Sequence, residues 1–264
     1  MLFVWWKQER IVFQPARPPF PEVADARRVT YEAEDGHALF AFVVDEEVAA
    51  RGVLIAFHGN ADLAAWMVPW AREVARRTGR LVLLPEYRGY GGIQGEPTVA
   101  GARHDARAAL RHARDALEAG ALPAHGGRLA LYGHSLGSAI ASELAAEMTG
   151  AGAPPDVLIL ESPFTSARDM ARIVVARPVE MAWALISRVH YDTRQRVSEL
   201  DVAVWVAHGR RDVIIPARMG EEVFGSARRK GELFIVPDAG HNDVAEVAGE
   251  SYWAWVGRAL GVRR

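Results

Sequence analysis

Short unbroken apolar runs alternate along the chain with longer stretches in which apolar residues recur at helical spacing. The runs fall at Gly52–Phe57, Leu81–Pro85, Arg128–Tyr132, Val157–Glu161, Val202–Ala207 and Glu232–Val236. Each is continuous enough in Val, Ile, Leu and Ala to be buried on both faces of a parallel sheet. Helical patterns fill the gaps over about 62–78, 98–119, 136–149, 217–229 and 246–260. This alternation is the signature of βαβ units. Ahead of the first run, residues 28–34 and 39–45 flank Asp35-Gly36 and predict an antiparallel hairpin at the sheet edge. No repeat, low-complexity tract or long linker interrupts the pattern, so one domain over 1–264 is expected.

One connection is longer than the rest. Between Glu161 and Val202 runs "RDMARIVVARPVEMAWALISRVHYDTRQRVSEL", rich in helix formers, which predicts a cap insertion at 163–201 over the edge of the sheet. Met181, Trp183, Leu185 and Ile186 within it suit an acyl or aromatic group, and their helical spacing suits core packing as well. Arg168 and Arg172 offer cations to a carboxylate or phosphate, or simply an exposed face. Arg103, Arg107, Arg111 and Arg114 lie off an apolar stripe and read as a solvated helix face rather than a phosphate patch.

Composition narrows the partners. Half of the 264 residues are hydrophobic, enough for a large core. With 31 Lys+Arg against 33 Asp+Glu there is no global field toward nucleic acid or anionic lipid. The absence of cysteine excludes disulfides, a thiol nucleophile and thiolate metal sites, and suits a cytoplasmic location. The start, "MLFVWWKQER", is far short of the roughly 20 apolar residues that span a bilayer. Met1 to Trp6 could still touch a membrane surface or a partner, or pack on the domain. Oligomeric state is not legible.

Candidate chemistry sits where the run at Arg128–Tyr132 meets the helix at 136–149. Gly133-His134-Ser135-Leu136-Gly137 fits G-x-S-x-G, a strand-to-helix turn that exposes its serine and leaves no room for side chains at the glycines. A serine hydroxyl needs a base, and the base needs an orienting acid. In this topology acid and base follow the serine in that order, each just after a later strand. Asp212 in "VAVWVAHGRRDVIIP" and His241 in "LFIVPDAGHND" meet the requirement. Glu161 and Asp238 are rival acids, while His134, His58 and His208 are rival bases, the last two expected to brace turns. Oxyanion donors are expected from the backbone N–H of Leu136 and, in "AFHGNADLAAW", of Asn60, with Ala61 second.

His58-Gly59-Asn60, the Gly-His-Ser-Leu-Gly turn, His208-Gly209 with Asp212, and Gly240-His241-Asn242-Asp243 together resemble the α/β-hydrolase family. Within it they are similar to small serine hydrolases with depalmitoylase-like and lysophospholipase-like members, as are "KQERIVFQP" and "ESPFTS". The resemblance implies an α/β-hydrolase fold: a mainly parallel sheet with an antiparallel N-terminal edge, helices on both faces and a small helical cap. It also implies Ser135 as nucleophile, Asp212 as acid, His241 as base, and Asn60 with Leu136 as oxyanion donors, acting on a small-molecule acyl ester or thioester without cofactor or metal. One departure is Ile93 in "RGYGGIQGEPT", where the family has serine. A second is the start, because relatives often carry an N-terminal membrane anchor. Amide or peptide cleavage passes through the same tetrahedral species and stays open. A non-catalytic scaffold predicts a missing triad member, and dinucleotide binding predicts a G-x-G-x-x-G that "GYGGIQG" does not supply.

Overall fold

Every one of the six apolar runs forms a strand. The computed structural model describes residues 8–44, 51–120, 128–174 and 189–262. Its strands are β1 (Arg27–Glu32), β2 (Ala38–Val44), β3 (Val53–Phe57), β4 (Leu81–Pro85), β5 (Leu129–His134), β6 (Val157–Glu161), β7 (Ala203–Gly209) and β8 (Arg229–Val236). They make one eight-stranded sheet in the order β1-β2-β4-β3-β5-β6-β7-β8. β2 runs antiparallel to β1 and β4, and all other pairs are parallel. The β1–β2 hairpin turns through Gly36 at φ 82°, a conformation that glycine adopts without strain.

Successive side chains of a strand point to opposite faces, so the sheet separates two cores. Ile55, Leu83, Leu131, Leu158 and Val204 pack with the helices Val99–Glu118, Leu136–Gly150 and Ala217–Ser226. On the other face Leu54, Val82, Ala130 and Ile159 pack with Val68–Thr78 and Glu250–Ala259, which brings the fully buried Trp255 and Tyr252. Burying each such large side chain contributes about 2–3 kcal/mol. This is the α/β-hydrolase fold. Among the described residues no helix is long and apolar enough to cross a membrane.

Register places the chemistry. Phe57 pairs with Gly133, His134 with Glu161, Glu161 with Ala207, and Gly209 with Val236. The carboxyl ends of β3, β5, β6, β7 and β8 therefore lie in a row, which is where open α/β sheets place their ligands.

Several boundaries differ from the sequence expectation. The helix expected to 229 ends at Ser226, and β8 starts at Arg229 instead of Glu232. Pairing of Ala203 with Arg229 and Val204 with Lys230 recruits polar residues to an edge strand, where Gly231 leaves room for the Trp205 ring. The pattern over 246–260 is two helices, Val244–Ala248 and Glu250–Ala259, split at Gly249 (φ 53°). That over 62–78 begins as a 3₁₀ turn, Ala64–Met67, before the helix Val68–Thr78 with Pro69 in its first turn. A helix at Gln8–Val12 had no periodic signal because it is only five residues long. The helices Ala167–Val174 and Thr193–Glu199 lie within 163–201, while Met181, Trp183, Leu185 and Ile186, like Met1 to Trp6, lie outside the described residues. The arginine face is not merely solvated: Arg103 pairs with Glu143 and Arg107 with Glu147, at 3.1 and 2.6 Å.

Gly137 meets β3 where no side chain fits, because a Cβ there would lie 2.2 Å from the Phe57 carbonyl oxygen. Gly137→Ala is expected to lower stability by about 3 kcal/mol. Urea unfolding checks this, and a loss under about 1 kcal/mol would show that strand and helix separate easily.

Candidate active site

β5 ends in a turn too tight for side chains on either side of Ser135. A Cβ on Gly133 would lie 2.2 Å from the Gly137 carbonyl oxygen. Ser135 itself sits at φ 52°, ψ −116°, and the helix Leu136–Gly150 starts directly after it. A non-glycine residue in that conformation costs on the order of 1–3 kcal/mol and persists only when its surroundings enforce it. Here the Ser135 N–H donates to the Glu161 carbonyl (2.9 Å), and the Ser135 carbonyl accepts from the Ser138 N–H (3.0 Å). Among the described residues the other non-glycine residues at positive φ are Ala61 and Ser162, and all three follow strand ends at this edge.

His241 reaches Ser135 from the loop after β8. Its Nε2 lies 3.0 Å from Ser135 Oγ, and its Nδ1 lies 2.6 Å from Asp212 Oδ2. A carboxylate accepts only, so Nδ1 carries the proton and Nε2 is free to accept from the serine hydroxyl. The His241 carbonyl is itself held by His134 Nε2 at 3.1 Å and Ser162 Oγ at 3.3 Å. Asp212 is anchored on both oxygens. Oδ1 accepts from the N–H groups of Ile214 and Ile215, each at 2.8 Å, and Oδ2 also faces His208 Nε2 at 3.2 Å. Burial pushes the Asp212 carboxyl up, but these donors more than offset it and hold the group well below the usual carboxylate range.

The loop after β3 passes over the serine. A Cβ on Gly59 would lie 3.0 Å from His134 Nδ1 and 3.3 Å from Ser135 Cβ, so Gly59 packs against the serine turn. Behind it, fully buried His58 faces acceptors at both nitrogens, the Gly59 carbonyl at 2.8 Å and Glu86 Oε1 at 2.7 Å. Burial opposes the imidazolium, yet Glu86 prevails and raises the His58 pKa. The Asn60 side chain turns away from the serine. Its Oδ1 accepts from the Gln14 N–H (2.8 Å) and the Tyr90 hydroxyl (2.7 Å), and its Nδ2 donates to the Val12 carbonyl (2.6 Å).

The rival residues fall elsewhere. Glu161 accepts from the Tyr252 hydroxyl at 2.6 Å, and Asp238 pairs with Arg211 on the surface. His134 touches the His241 backbone and burial lowers its pKa. His58 and His208 brace turns, as their His-Gly context suggested. The loop with Ile93 closes through backbone bonds, from the Ile93 N–H to Tyr90 (2.8 Å) and from the Gly89 N–H to Ile93 (3.1 Å), so it needs no hydroxyl there. Sequence reasoning missed the roles of Ser162, Glu86 and Tyr90. Among the described residues no three His, Asp or Glu side chains converge as a metal cage.

Comparison with known proteins places this geometry in a family. The profile described as Hydrolase_4, serine aminopeptidase S33, matches residues 48–194, more than half of the chain. The chain belongs to this α/β-hydrolase family. It is 31% identical over 251 residues to the uncharacterized protein Rv2307c of Mycobacterium tuberculosis, covering 92% of this chain and 83% of that one. It is 26% identical over 199 residues to the lysophosphatidylserine lipase ABHD12 of Danio rerio, covering 70% of this α/β-hydrolase and 50% of the relative. Among solved structures, the Pyrococcus furiosus esterase Pf2001 superposes with a TM-score of 0.73 at 19% identity, over 94% of this chain and all of that one.

Two predictions follow from the anchoring of the site. The depressed Asp212 carboxyl stabilises the fold above about pH 4, its unfolded value, and this contribution is lost as pH falls toward the lower folded value. Asp212→Asn should therefore flatten the decline of stability below about pH 4, measured by urea unfolding at stepped pH; an unchanged slope would show an unperturbed carboxyl. Asn60→Ala removes the clamp on residues 12–14 and should speed tryptic cleavage at the exposed Arg10 several-fold. Equal cleavage rates would mean that the segment is held by other contacts.

Proposed function

We propose that this α/β-hydrolase cleaves small-molecule carboxylic esters or thioesters through an acyl-enzyme on Ser135. The observation that carries the reading is the unbroken chain from Ser135 Oγ through His241 to Asp212, at 3.0 and 2.6 Å. In the first half-reaction Ser135 Oγ attacks the carbonyl carbon while His241 Nε2 takes the hydroxyl proton. The tetrahedral oxyanion meets the backbone N–H groups of Leu136, at the positive end of its helix, and Asn60. Collapse breaks the bond to the alcohol or thiol, which leaves with the proton from His241. Water then adds to the acyl-enzyme by the same route, releasing the acid and regenerating Ser135. Asp212 stays ionised throughout and stabilises the imidazolium.

The likeness to an esterase fold and to a lysophosphatidylserine lipase supports an ester substrate. The family description, serine aminopeptidase, favours amide or peptide cleavage as the second reading. Residues 163–201 serve as the cap: the helix Ala167–Val174 begins soon after Ser162, whose hydroxyl touches His241.

Intact mass after treatment with a fluorophosphonate is expected to show one adduct on the wild type and none on Ser135→Ala. Against a panel of acyl esters, acyl thioesters and aminoacyl anilides, Ser135→Ala and His241→Ala should each lower kcat by roughly 10⁴-fold or more on esters. Folded wild-type protein that takes no label would overturn the proposal, and faster turnover of anilides than esters would put the peptidase reading first.

A further inference from the structure

We propose that His208 is a positioning residue, a second imidazole that fixes the Asp212 carboxylate for His241 and so sets the reactivity of Ser135. The inference rests on the Ser135–His241–Asp212 reading and adds to it a group outside the three.

His208 is the penultimate residue of β7 and has no exposed surface. Its Nε2 lies 2.8 Å from the Ile215 carbonyl oxygen and 3.2 Å from Asp212 Oδ2. A carbonyl only accepts, so Nε2 carries the proton and shares it between the two oxygens. On the far side of the ring Nδ1 is buried without a hydrogen-bond partner. It faces Gly220 of the helix Ala217–Ser226, where a Cβ would lie 2.4 Å from it. The charged groups of that helix are engaged elsewhere, Glu221 with Arg210 at 2.8 Å and Arg218 with Glu222 at 3.6 Å.

This arrangement is a poor way to fill space. A leucine would pack against Gly220 with no orphaned nitrogen, whereas a buried unpaired polar atom is costly. The donor side offers the compensating gain. With His208 in place Asp212 accepts on all sides, two backbone N–H groups on Oδ1 and two imidazoles on Oδ2, so it cannot rotate without losing a bond. His208 also binds the Ile215 carbonyl and thus ties the turn that supplies the Oδ1 donors. Removing the Nε2 donor leaves the carboxylate free to turn from His241, which slows the chemistry.

The test is the rate of fluorophosphonate labelling at Ser135, with kcat and KM for an ester, across pH for the wild type and for His208→Leu, His208→Asn and His208→Gln, each shown to be folded by circular dichroism. The glutamine amide nitrogen extends to the position of Nε2, and the asparagine amide stops short at that of Nδ1. Labelling and kcat are expected to fall about ten- to a hundred-fold in the leucine and asparagine variants, with KM little changed. Glutamine is expected to recover most of the loss. If the leucine variant does not fold, glutamine against asparagine decides. Labelled wild type with glutamine as slow as asparagine, or with no variant slowed, overturns the role of His208 alone. Folded wild type that takes no label overturns the serine-hydrolase reading, and this role with it.

Discussion

The architecture depends on backbone meeting backbone without side chains between, along the carboxyl edge of the sheet. Gly133 and Gly137 bring β5, its helix and the end of β3 together, and Gly209 lies where a Cβ would meet the Gly240 carbonyl at 2.1 Å. These contacts join loops far apart in sequence: the loop after β3, the serine turn, and the loops after β7 and β8. The two apolar cores supply the driving force. The glycines determine how close the loops come, and a hydrogen bond of 3.0 Å between Ser135 and His241 tolerates little slack.

Strain gathers at the same edge. Ala61, Ser135 and Ser162 hold positive φ after the ends of β3, β5 and β6, while glycines take the other described positions of that kind. Two of them, Ser135 and Ser162, are pinned by a neighbouring strand end. The Ser135 N–H bonds to the Glu161 carbonyl and the Ser162 N–H to the Ala207 carbonyl. The core pays for a geometry that the chain would not adopt alone, as expected where groups must be pre-organised.

Much of this was legible in the sequence because the signals are local. Gly133, Ser135 and Gly137 form one short motif between a continuous apolar run and a helical stripe, and parallel topology restricts where an acid and a base can follow. Asp212 and His241 were found by that chain order, and the structure brings His241 to Ser135 and Asp212 to His241. What escaped depends on contacts that no local pattern encodes. The Asn60 side chain binds residues 48 and 46 positions earlier in the chain. The sequence assigned only its backbone N–H a role, and nothing local announced where the side chain would bind. The start of β8 was missed because Arg229 and Lys230 join through ladder bonds on an edge strand, where apolar content is not required. His208 was read as a turn brace, and its link to Asp212 four residues on depends on the turn between them.

The Asn60 clamp has a thermodynamic corollary. Gly59 lies against Ser135, and the next residue, Asn60, gives its side chain to the segment at Val12 and Gln14. Any species that tightens the backbone of this loop also tightens that segment, and linkage makes the effect reciprocal. The segment at Val12 and Gln14 is therefore coupled energetically to the loop beside Ser135, and its amide exchange reports on how tightly that loop is held.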